Sequence, residues 1–94
     1  MLRKYRDRQT ERFALGEFVK AFSGIDRQAS RRLRILDSAT SLSDLAVIPG
    51  CRLESLRGDR AGQFSIRIND QWRICFLWPD DETGAIEIEI VDYH

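Results

Sequence analysis

Residues 63–78, QFSIRINDQWRICFLW, decide the fold, because they alternate between apolar and polar side chains over two consecutive segments. In QFSIRI every second side chain is apolar, and QWRICFLW repeats this spacing. A period of two is that of a half-buried β-strand. Asn69-Asp70, between the two segments, suits a tight turn because both residue types tolerate positive φ. The stretch therefore predicts an antiparallel β-hairpin with one apolar face.

Alternation continues on both sides of this hairpin. AIEIEIVDY (residues 85–93) has isoleucine at every second position, which predicts a strand at the end of the chain. CRLESL (51–56) predicts a strand before the hairpin, and RGDRAG (57–62) predicts a loop bounded by glycine. LRKYR (2–6) could form a short first strand. Together these segments predict an antiparallel sheet of three to five strands.

The first half of the chain has a helical period instead. Residues 7–14 are good helix formers, and Gly16 is expected to end that helix. Asp26 is expected to cap a longer helix over residues 26–40, DRQASRRLRILDSAT. Its apolar side chains recur at spacings of three and four, which predicts one buried stripe, formed by Ala29, Leu33, Ile35 and Leu36.

A third, shorter helix completes the helical half. Ser41, with Asp44 three residues later, predicts a capped turn of helix that ends before Pro49-Gly50. Helices followed by antiparallel strands predict a single α+β domain over residues 1–94, with the N-terminal helices packed on one face of the sheet. The face expected to be covered carries Phe64, Ile66, Ile68, Trp72, Ile74, Phe76, Ile86, Ile88 and Ile90.

The net charge of zero hides a strong asymmetry along the chain. Residues 1–78 carry all 15 basic side chains against 9 acidic ones, a net +6, whereas residues 79–94 carry 6 acids and no base. Thirteen of the 15 bases are arginine, whose planar fork matches phosphate geometry. The composition therefore favours contact with an anion or nucleic acid, although solvated helix faces would also account for much of it.

Several classes of protein are disfavoured by the composition. The longest apolar runs are far below the 18 residues of a membrane span, and the charged N-terminus lacks the apolar stretch of a secretory signal. Cys51 and Cys75 form neither a C-x-x-C pair nor a metal cluster, so we interpret them as reduced thiols. We therefore expect a cytoplasmic protein with no metal, no cofactor and no membrane partner.

The face of the sheet that the helices leave uncovered, here called the open face, is expected to carry Ser65, Arg67, Arg73 and Tyr93. The loop RGDRAG adds Arg57 and Arg60 near its edge. A charge in the middle of a strand needs solvent or a partner. One interpretation is cross-strand pairing with Glu87 or Glu89; the other is that these arginines bind an anion.

The chain ends on Asp92, Tyr93 and His94, and His94 is its only histidine. These residues could simply end the last strand. They could also supply an acid, an aromatic ring and a group that titrates near neutral pH. Strict alternation would place Asp92 and His94 on the covered face, so all three can meet on the open face only if the strand loosens after Val91.

LESLRGDRAGQFSIRINDQWRICF (residues 53–76), followed by the terminal EIVDYH (89–94), resembles the HigB branch of the RelE/ParE toxin superfamily. The match is dense over residues 51–94, and the helical half matches only in kind, through residues 32–45. The resemblance implies helices packed on an antiparallel sheet. It also implies the toxin of a toxin–antitoxin operon, in many cases a ribosome-dependent messenger-RNA endonuclease. Such toxins are neutralised by a HigA-like helix-turn-helix antitoxin, through which alone they reach operator DNA.

Carried over by position, the resemblance assigns catalysis to Arg73, Asp92, Tyr93 and His94. Arg73 would hold the phosphate, His94 would transfer protons, Asp92 would orient His94 or act as base, and Tyr93 would stack or bind phosphate. The family's basic loop position falls on Arg57, which would support Arg73 in holding the phosphate, and Glu54 lies three residues before it. Arg60 and Arg67 are further candidates for RNA contact, weaker than these and not carried over from the family.

Two positions depart from the family pattern. Arg57 stands where relatives often have lysine, and an arginine does not give up its proton. Glu54 stands where some active members have histidine; it could accept a proton but would repel phosphate.

Two other functions remain open. One is a ParE-like inhibitor of DNA gyrase, which the terminal Asp-Tyr-His disfavours because such toxins lack a proton-transfer set. The other is a catalytically weak toxin that acts mainly in an autorepressing complex, which Glu54 favours. For the antitoxin contact, the arginines of residues 27–39 are one candidate surface facing an acidic patch, and solvent is the alternative.

Overall fold

The computed structural model describes residues 3–93, which form a helical layer followed by an antiparallel sheet. The helices are α1 (Arg8–Ala14), α2 (Asp26–Ser38) and α3 (Leu42–Ala46). The strands are β1 (Glu54–Ser55), β2 (Phe64–Arg67), β3 (Trp72–Leu77) and β4 (Ile86–Asp92). They are ordered β1-β2-β3-β4, and every neighbouring pair is antiparallel. The α+β architecture predicted from the period change is confirmed.

One apolar core lies between the helices and the sheet. Ala29, Leu36 and Leu45 contribute to it from the helices and are almost completely buried. The covered face of the sheet contributes the side chains at alternate strand positions, as the sequence predicted, with Ile66, Ile74 and Phe76 at its centre. Burial of a large aliphatic or aromatic side chain stabilises the fold by about 1.5–3 kcal/mol, so these residues dominate its stability.

The helix caps largely follow the sequence. The Asp7 side chain accepts a hydrogen bond from the Thr10 amide, and Ser41 does the same for Asp44. The cap predicted for α2 is wrong by one residue: the capping residue is Ile25 and not Asp26. Asp26 is the first helical residue, where its carboxylate accepts from the Arg27 amide at 2.9 Å and complements the helix dipole.

Two predicted strands are shorter than expected. The strand predicted over residues 51–56 is reduced to Glu54–Ser55, because Arg52 has a φ of 47° and bends the chain away from the extended conformation. In the strand predicted over residues 2–6, the described residues 3–6 form only an isolated parallel bridge between Tyr5 and Ile88, and Leu2 lies outside the described residues. Asp7 starts α1 immediately afterwards, which leaves no room for a longer ladder.

The predicted face of Ile86 is wrong. Cys75 lies opposite Glu89 and Leu77 lies opposite Ile86, so β4 has one residue more than β3 between these pairs. Such an insertion is a β-bulge, and Glu87 within it has a φ of 52°. The bulge moves Ile86 to the side of Leu77, away from the covered face. Ile88 and Ile90 remain in the core as predicted.

The outer edge of β4 is covered by the N-terminal segment. The Ile88 amide donates to the Lys4 carbonyl at 2.9 Å, and the Ile90 amide donates to the buried hydroxyl of Thr10 at 3.0 Å. These contacts leave β4 little freedom to shift in register. None of the helices within residues 3–93 is long and apolar enough to cross a membrane.

Candidate functional site

The strand register creates two rows of side chains on the open face. Glu54, Ser65, Cys75 and Glu89 lie in one row across all four strands. In the neighbouring row, Arg73 lies between Arg67 and Val91. The open face therefore carries the arginines that the alternation predicted.

Arg73 is held over the neighbouring strands by two hydrogen bonds. Its Nη1 atom donates to the Ser65 hydroxyl and its Nη2 atom donates to the Glu54 carboxylate, both at 3.0 Å. The Arg73 side chain is only 16% exposed, while that of Glu54 is 50% exposed. The guanidinium therefore reaches from β3 across β2 to β1, and a charged partner neutralises part of its charge.

Tyr93 provides the third contact of Arg73. The guanidinium carbon lies 5.4 Å from the centroid of the Tyr93 ring, a cation–π distance. The Tyr93 amide donates to the Gln71 carbonyl at 2.7 Å, which continues the β3–β4 pairing beyond the last residue of β4. This backbone contact fixes where the chain end lies, and hence brings the half-exposed phenol ring against Arg73.

A groove of about 470 Å³ lies beside this cluster, lined by Glu54, Ser55, Leu56, Arg57 and Tyr93. Arg57 starts the loop between β1 and β2, which the Leu56 amide closes by donating to the Gln63 carbonyl at 2.8 Å. Gly58, at a φ of 66°, then turns the chain into a short 3₁₀ helix, Gly58–Arg60. Arg57 is exposed and forms no ion pair with another residue in 3–93, so its charge is available to a ligand in the groove.

Arg60 and Arg67, also predicted to contact RNA, have acidic partners outside this cluster. Arg60 donates to Glu89 at 3.2 Å and to Gln63 at 3.1 Å. Arg67 pairs with Asp70 of the hairpin turn. The suggested pairing of the strand arginines with Glu87 or Glu89 is therefore wrong: Glu89 pairs with Arg60 of the loop, and Arg73 pairs with Glu54. Because Arg67 and Arg73 lie directly opposite each other, their separate acidic partners also relieve a like-charge contact.

Asp92 and Tyr93, the two described residues of the terminal trio, lie on opposite faces of the sheet. Asp92 lies opposite Trp72, and its carboxylate accepts from the Gln71 side-chain amide at 3.0 Å. Strand geometry persists through Asp92, so this residue lies with the covered face, as strict alternation indicated, while Tyr93 lies with the open face. His94 lies outside the described residues, and its assigned role stays a prediction.

Cys75 is buried in the same row as Ser65 and Glu89. Burial raises the pKa of the Cys75 thiol; Arg60 and Arg73 oppose this increase and Glu89 adds to it. Both cysteines are free and buried. Residues 3–93 contain no group of three or more His, Cys, Asp or Glu side chains that could hold a metal ion.

Two contributors to the site were not among the predicted site residues. Ser65 was expected on the open face, but its bond to Arg73 depends on how far the arginine side chain reaches across the sheet. Gln71 contacts both Asp92 and the Tyr93 backbone, and nothing in its immediate sequence indicates this. Both contacts follow from the strand register, which single-strand periodicity does not give.

The cluster has the chemistry of an anion site. An exposed arginine, an aromatic ring and a carboxylate line one groove, and the fixed guanidinium of Arg73 contacts two of these lining groups, Glu54 and Tyr93. Guanidinium groups bind phosphate by charge-assisted hydrogen bonds, and an aromatic ring can stack on a nucleic-acid base. The carboxylate of Glu54 is the one lining group that would oppose an anion.

Comparison with known proteins agrees with this architecture. A family model described as a RelE-like toxin of the type II toxin–antitoxin system HigB matches residues 3–94. Toxin HigB-1 of Vibrio cholerae is 47% identical over 58 residues, which are 62% of this chain and 61% of that protein. Endoribonuclease HigB of Proteus vulgaris is 35% identical over 63 residues, which are 67% of this chain and 65% of that protein.

The matched segments thus span less than two thirds of either relative. The family match, in contrast, covers both the helical layer and the sheet, including β3 with Arg73 and the segment after β4 with Tyr93. The resemblance noted in the hairpin and the chain end is therefore confirmed over nearly the whole sequence, and the chain belongs to the HigB-like family of RelE-like toxins.

Proposed function

We propose that this chain is the toxin of a type II toxin–antitoxin pair and acts as a ribosome-dependent, metal-independent messenger-RNA endoribonuclease in the cytoplasm. The observation that carries the proposal is the position of Arg73, which Ser65, Glu54 and Tyr93 hold. Two of these partners, Glu54 and Tyr93, line a groove together with the exposed Arg57. The name of the Proteus vulgaris relative, an endoribonuclease, supports the same reaction class.

In the proposed reaction, the 2′-hydroxyl of the RNA attacks the adjacent phosphorus. A base removes the hydroxyl proton, the bond from phosphorus to O2′ forms, the bond to O5′ breaks, and an acid protonates the leaving O5′. Arg73 and Arg57 stabilise the negative charge that builds up on phosphorus-bound oxygens. Tyr93 stacks on a neighbouring base, an interaction worth about 1–3 kcal/mol.

The proton transfers are assigned to the end of the chain. His94 is the residue best suited to neutral pH, and one placed proton-transfer group contributes about 10²–10⁴-fold to the rate. Asp92 would orient His94 or accept the proton itself. Glu54 is the other carboxylate that could act as the base, because it lies within the groove next to Arg73.

Purified protein incubated with ribosomes carrying a defined message tests the reaction. We expect cleavage of the message in the ribosome-bound region, and its loss both in Arg73→Ala and in a chain that ends at Tyr93. Arg27→Ala, which removes an exposed arginine from α2, serves as the matched control and should cleave normally. Intact message with the unmodified protein would contradict the proposal. In bacteria that produce the protein, growth arrest with intact messages and broken DNA would indicate inhibition of gyrase instead.

A second candidate is a weak nuclease that acts mainly in an autorepressing complex with its antitoxin. The observation that favours it is the ion pair between Glu54 and Arg73, which occupies one prong of the guanidinium that phosphate would need. In that case, overproduction of the chain without antitoxin would leave both growth and messages unchanged.

The proposed partners follow from the same assignment. We expect a HigA-like helix-turn-helix antitoxin, contact with operator DNA only through that antitoxin, and contact with the ribosome and its messenger RNA. The arginines of α2 are the candidate surface for the antitoxin.

A further inference from the structure

Ser65 carries a completely buried hydroxyl in the middle of the open face. It lies on β2 between Glu54 of β1 and Cys75 of β3. A buried hydroxyl is costly without a hydrogen-bond partner, and the guanidinium Nη1 of Arg73 is the partner at 3.0 Å. The hydrogen bond from Arg73 therefore satisfies the buried Ser65 hydroxyl, and the hydroxyl in turn holds one end of the guanidinium.

The three contacts of Arg73 differ in how firmly they are anchored. Glu54 is half exposed and belongs to a strand of two residues. Tyr93 is 37% exposed and follows the last residue of β4. Ser65 has a short side chain, is 0% exposed and is paired on both sides within the sheet. Of the three, only Ser65 is a rigid reference point for the guanidinium.

We propose that Ser65 is a positioning residue that fixes the Arg73 guanidinium in the orientation required to bind the reacting phosphate. The inference rests on the proposed function of Arg73. Glu54 must release the Nη2 atom of Arg73 when phosphate binds, because the carboxylate and the phosphate are both negatively charged and compete for that donor. Ser65 is neutral and does not compete with phosphate, so it holds the Nη1 atom of Arg73 in place while phosphate replaces Glu54 at Nη2.

The first test is a graded series at position 65. Ser65→Ala removes the hydrogen-bond acceptor of Arg73. Ser65→Cys keeps the shape of the side chain but offers only a weak acceptor, the sulfur atom. This chain already contains a guanidinium–sulfur contact, from Arg32 Nη1 to Cys51 Sγ at 3.2 Å. Since a small misplacement of a catalytic group can cost about 10²-fold, we expect kcat for message cleavage to fall about 10–100-fold in Ser65→Ala and less in Ser65→Cys, with KM changed less than kcat.

Thr10→Val is the matched control, because it removes the other fully buried hydroxyl in the described part of the chain. That hydroxyl accepts from the Ile90 amide, on the edge of β4, and contacts no residue of the groove. We expect Thr10→Val to reduce stability but to leave kcat near that of the unmodified protein. A loss of kcat in Thr10→Val equal to that in Ser65→Ala would overturn the proposal, since stability alone would then explain both.

A second measurement separates positioning from catalysis. Nitrogen-15 spectra of the Arg73 guanidinium, assigned with Arg73→Lys, report how freely its terminal nitrogens rotate. We expect slow rotation in the unmodified protein and in Thr10→Val, faster rotation in Ser65→Cys and the fastest in Ser65→Ala. If neither the unmodified protein nor any variant cleaves the message, the proposed function fails. The spectra still show whether Ser65 fixes the Arg73 guanidinium. Identical Arg73 signals in the unmodified protein and both Ser65 variants would overturn the proposal, and Ser65→Cys decides alone if Ser65→Ala does not fold.

Discussion

The guanidinium carbon of Arg73 lies 5.4 Å from the centroid of the Tyr93 ring, so an arginine in the third strand and a residue near the chain end form one unit. The contact is possible because the Tyr93 amide bonds to Gln71, in the turn just before β3. The turn between β2 and β3 thereby positions the end of the chain. Changes at Tyr93 should consequently affect Arg73 as well as any base that the ring contacts.

Replacing Tyr93 with leucine should weaken RNA binding. The change removes both base stacking, worth about 1–3 kcal/mol, and a cation–π contact, worth about 0.5–1 kcal/mol at an exposed site. Because two contacts of one side chain do not add independently, we expect a total of about 1–3 kcal/mol, or roughly 5–150-fold in Kd. Fluorescence anisotropy with a short single-stranded RNA measures it. Tyr93→Phe keeps the ring and should bind within twofold of the unmodified protein; an equal loss in both variants would exclude stacking.

Replacing Glu54 with glutamine should strengthen binding of RNA. The amide oxygen of glutamine can still accept from Arg73, but the negative charge beside the groove is gone. The Glu54 side chain is half exposed, and in water a unit charge about 4 Å away is worth about 1 kcal/mol, so we expect roughly fivefold tighter binding at low salt and a smaller gain at high salt. Asp59→Asn is the control, because Asp59 is an exposed acid in the loop that follows β1 and does not line the groove. Tighter binding by the control alone would contradict the assignment of Glu54.

Replacing Asp44 with asparagine should change how stability depends on pH. Hydrogen bonds from the Thr40 amide and hydroxyl lower the pKa of Asp44 below its ordinary value of 3.8. A carboxylate with a lowered pKa stabilises the folded state above its unfolded pKa, and this contribution is lost as the pH falls through the folded pKa.

Urea unfolding of the Asp44 variant and of the unmodified protein, from about pH 7 down to about pH 2, should therefore give stabilities that differ at neutral pH and draw together as the pH falls below 3.8. Asp80→Asn, in the exposed acidic loop, should run parallel to the unmodified protein. A difference between Asp44→Asn and the unmodified protein that persists unchanged in acid would attribute the effect to packing rather than to charge.

The period of the apolar residues was sufficient to predict the two layers and three of the four strands. Alternation in QFSIRI, QWRICFLW and AIEIEIVDY places one side chain in two against the helices, and burial of these side chains drives the fold. Alternation could predict neither how short the strand within residues 51–56 is nor which face of the sheet carries Ile86. Both depend on a residue with positive φ, Arg52 or Glu87, and neither residue type normally signals that conformation.

The candidate site was predicted less completely than the fold. Arg73 and Tyr93 could be assigned to the open face because alternation fixes the direction of their side chains. Their partners could not be predicted, since Ser65 and Glu54 meet Arg73 through the pairing of three strands. Pairing register is set by the whole sheet and its turns rather than by any single segment.

The arginines of α2 lead to a prediction about the antitoxin. Arg31 and Arg34 border a groove of about 370 Å³ whose floor includes the apolar side chains of Ile35, Ala39 and Ile48. Both arginines are exposed, and neither forms an ion pair with another residue in the part of the chain that the structure describes. Asp44 also lines the groove, but it already accepts hydrogen bonds from Thr40, and the two arginines outnumber it. An apolar floor with a net positive rim fits an amphipathic acidic segment.

Reversing both charges, Arg31→Glu with Arg34→Glu, should therefore weaken the complex with the antitoxin. Charges at the rim of an interface act mainly on the association rate, so we expect slower association by at least about tenfold at low salt and a smaller difference at high salt. Surface plasmon resonance with the purified antitoxin measures both rates. Arg27→Glu, on the same helix but outside the groove lining, should bind nearly normally. Unchanged association of the double variant at low salt would exclude this groove as the docking surface, and an equal effect of Arg27→Glu would indicate only the general charge of the helix.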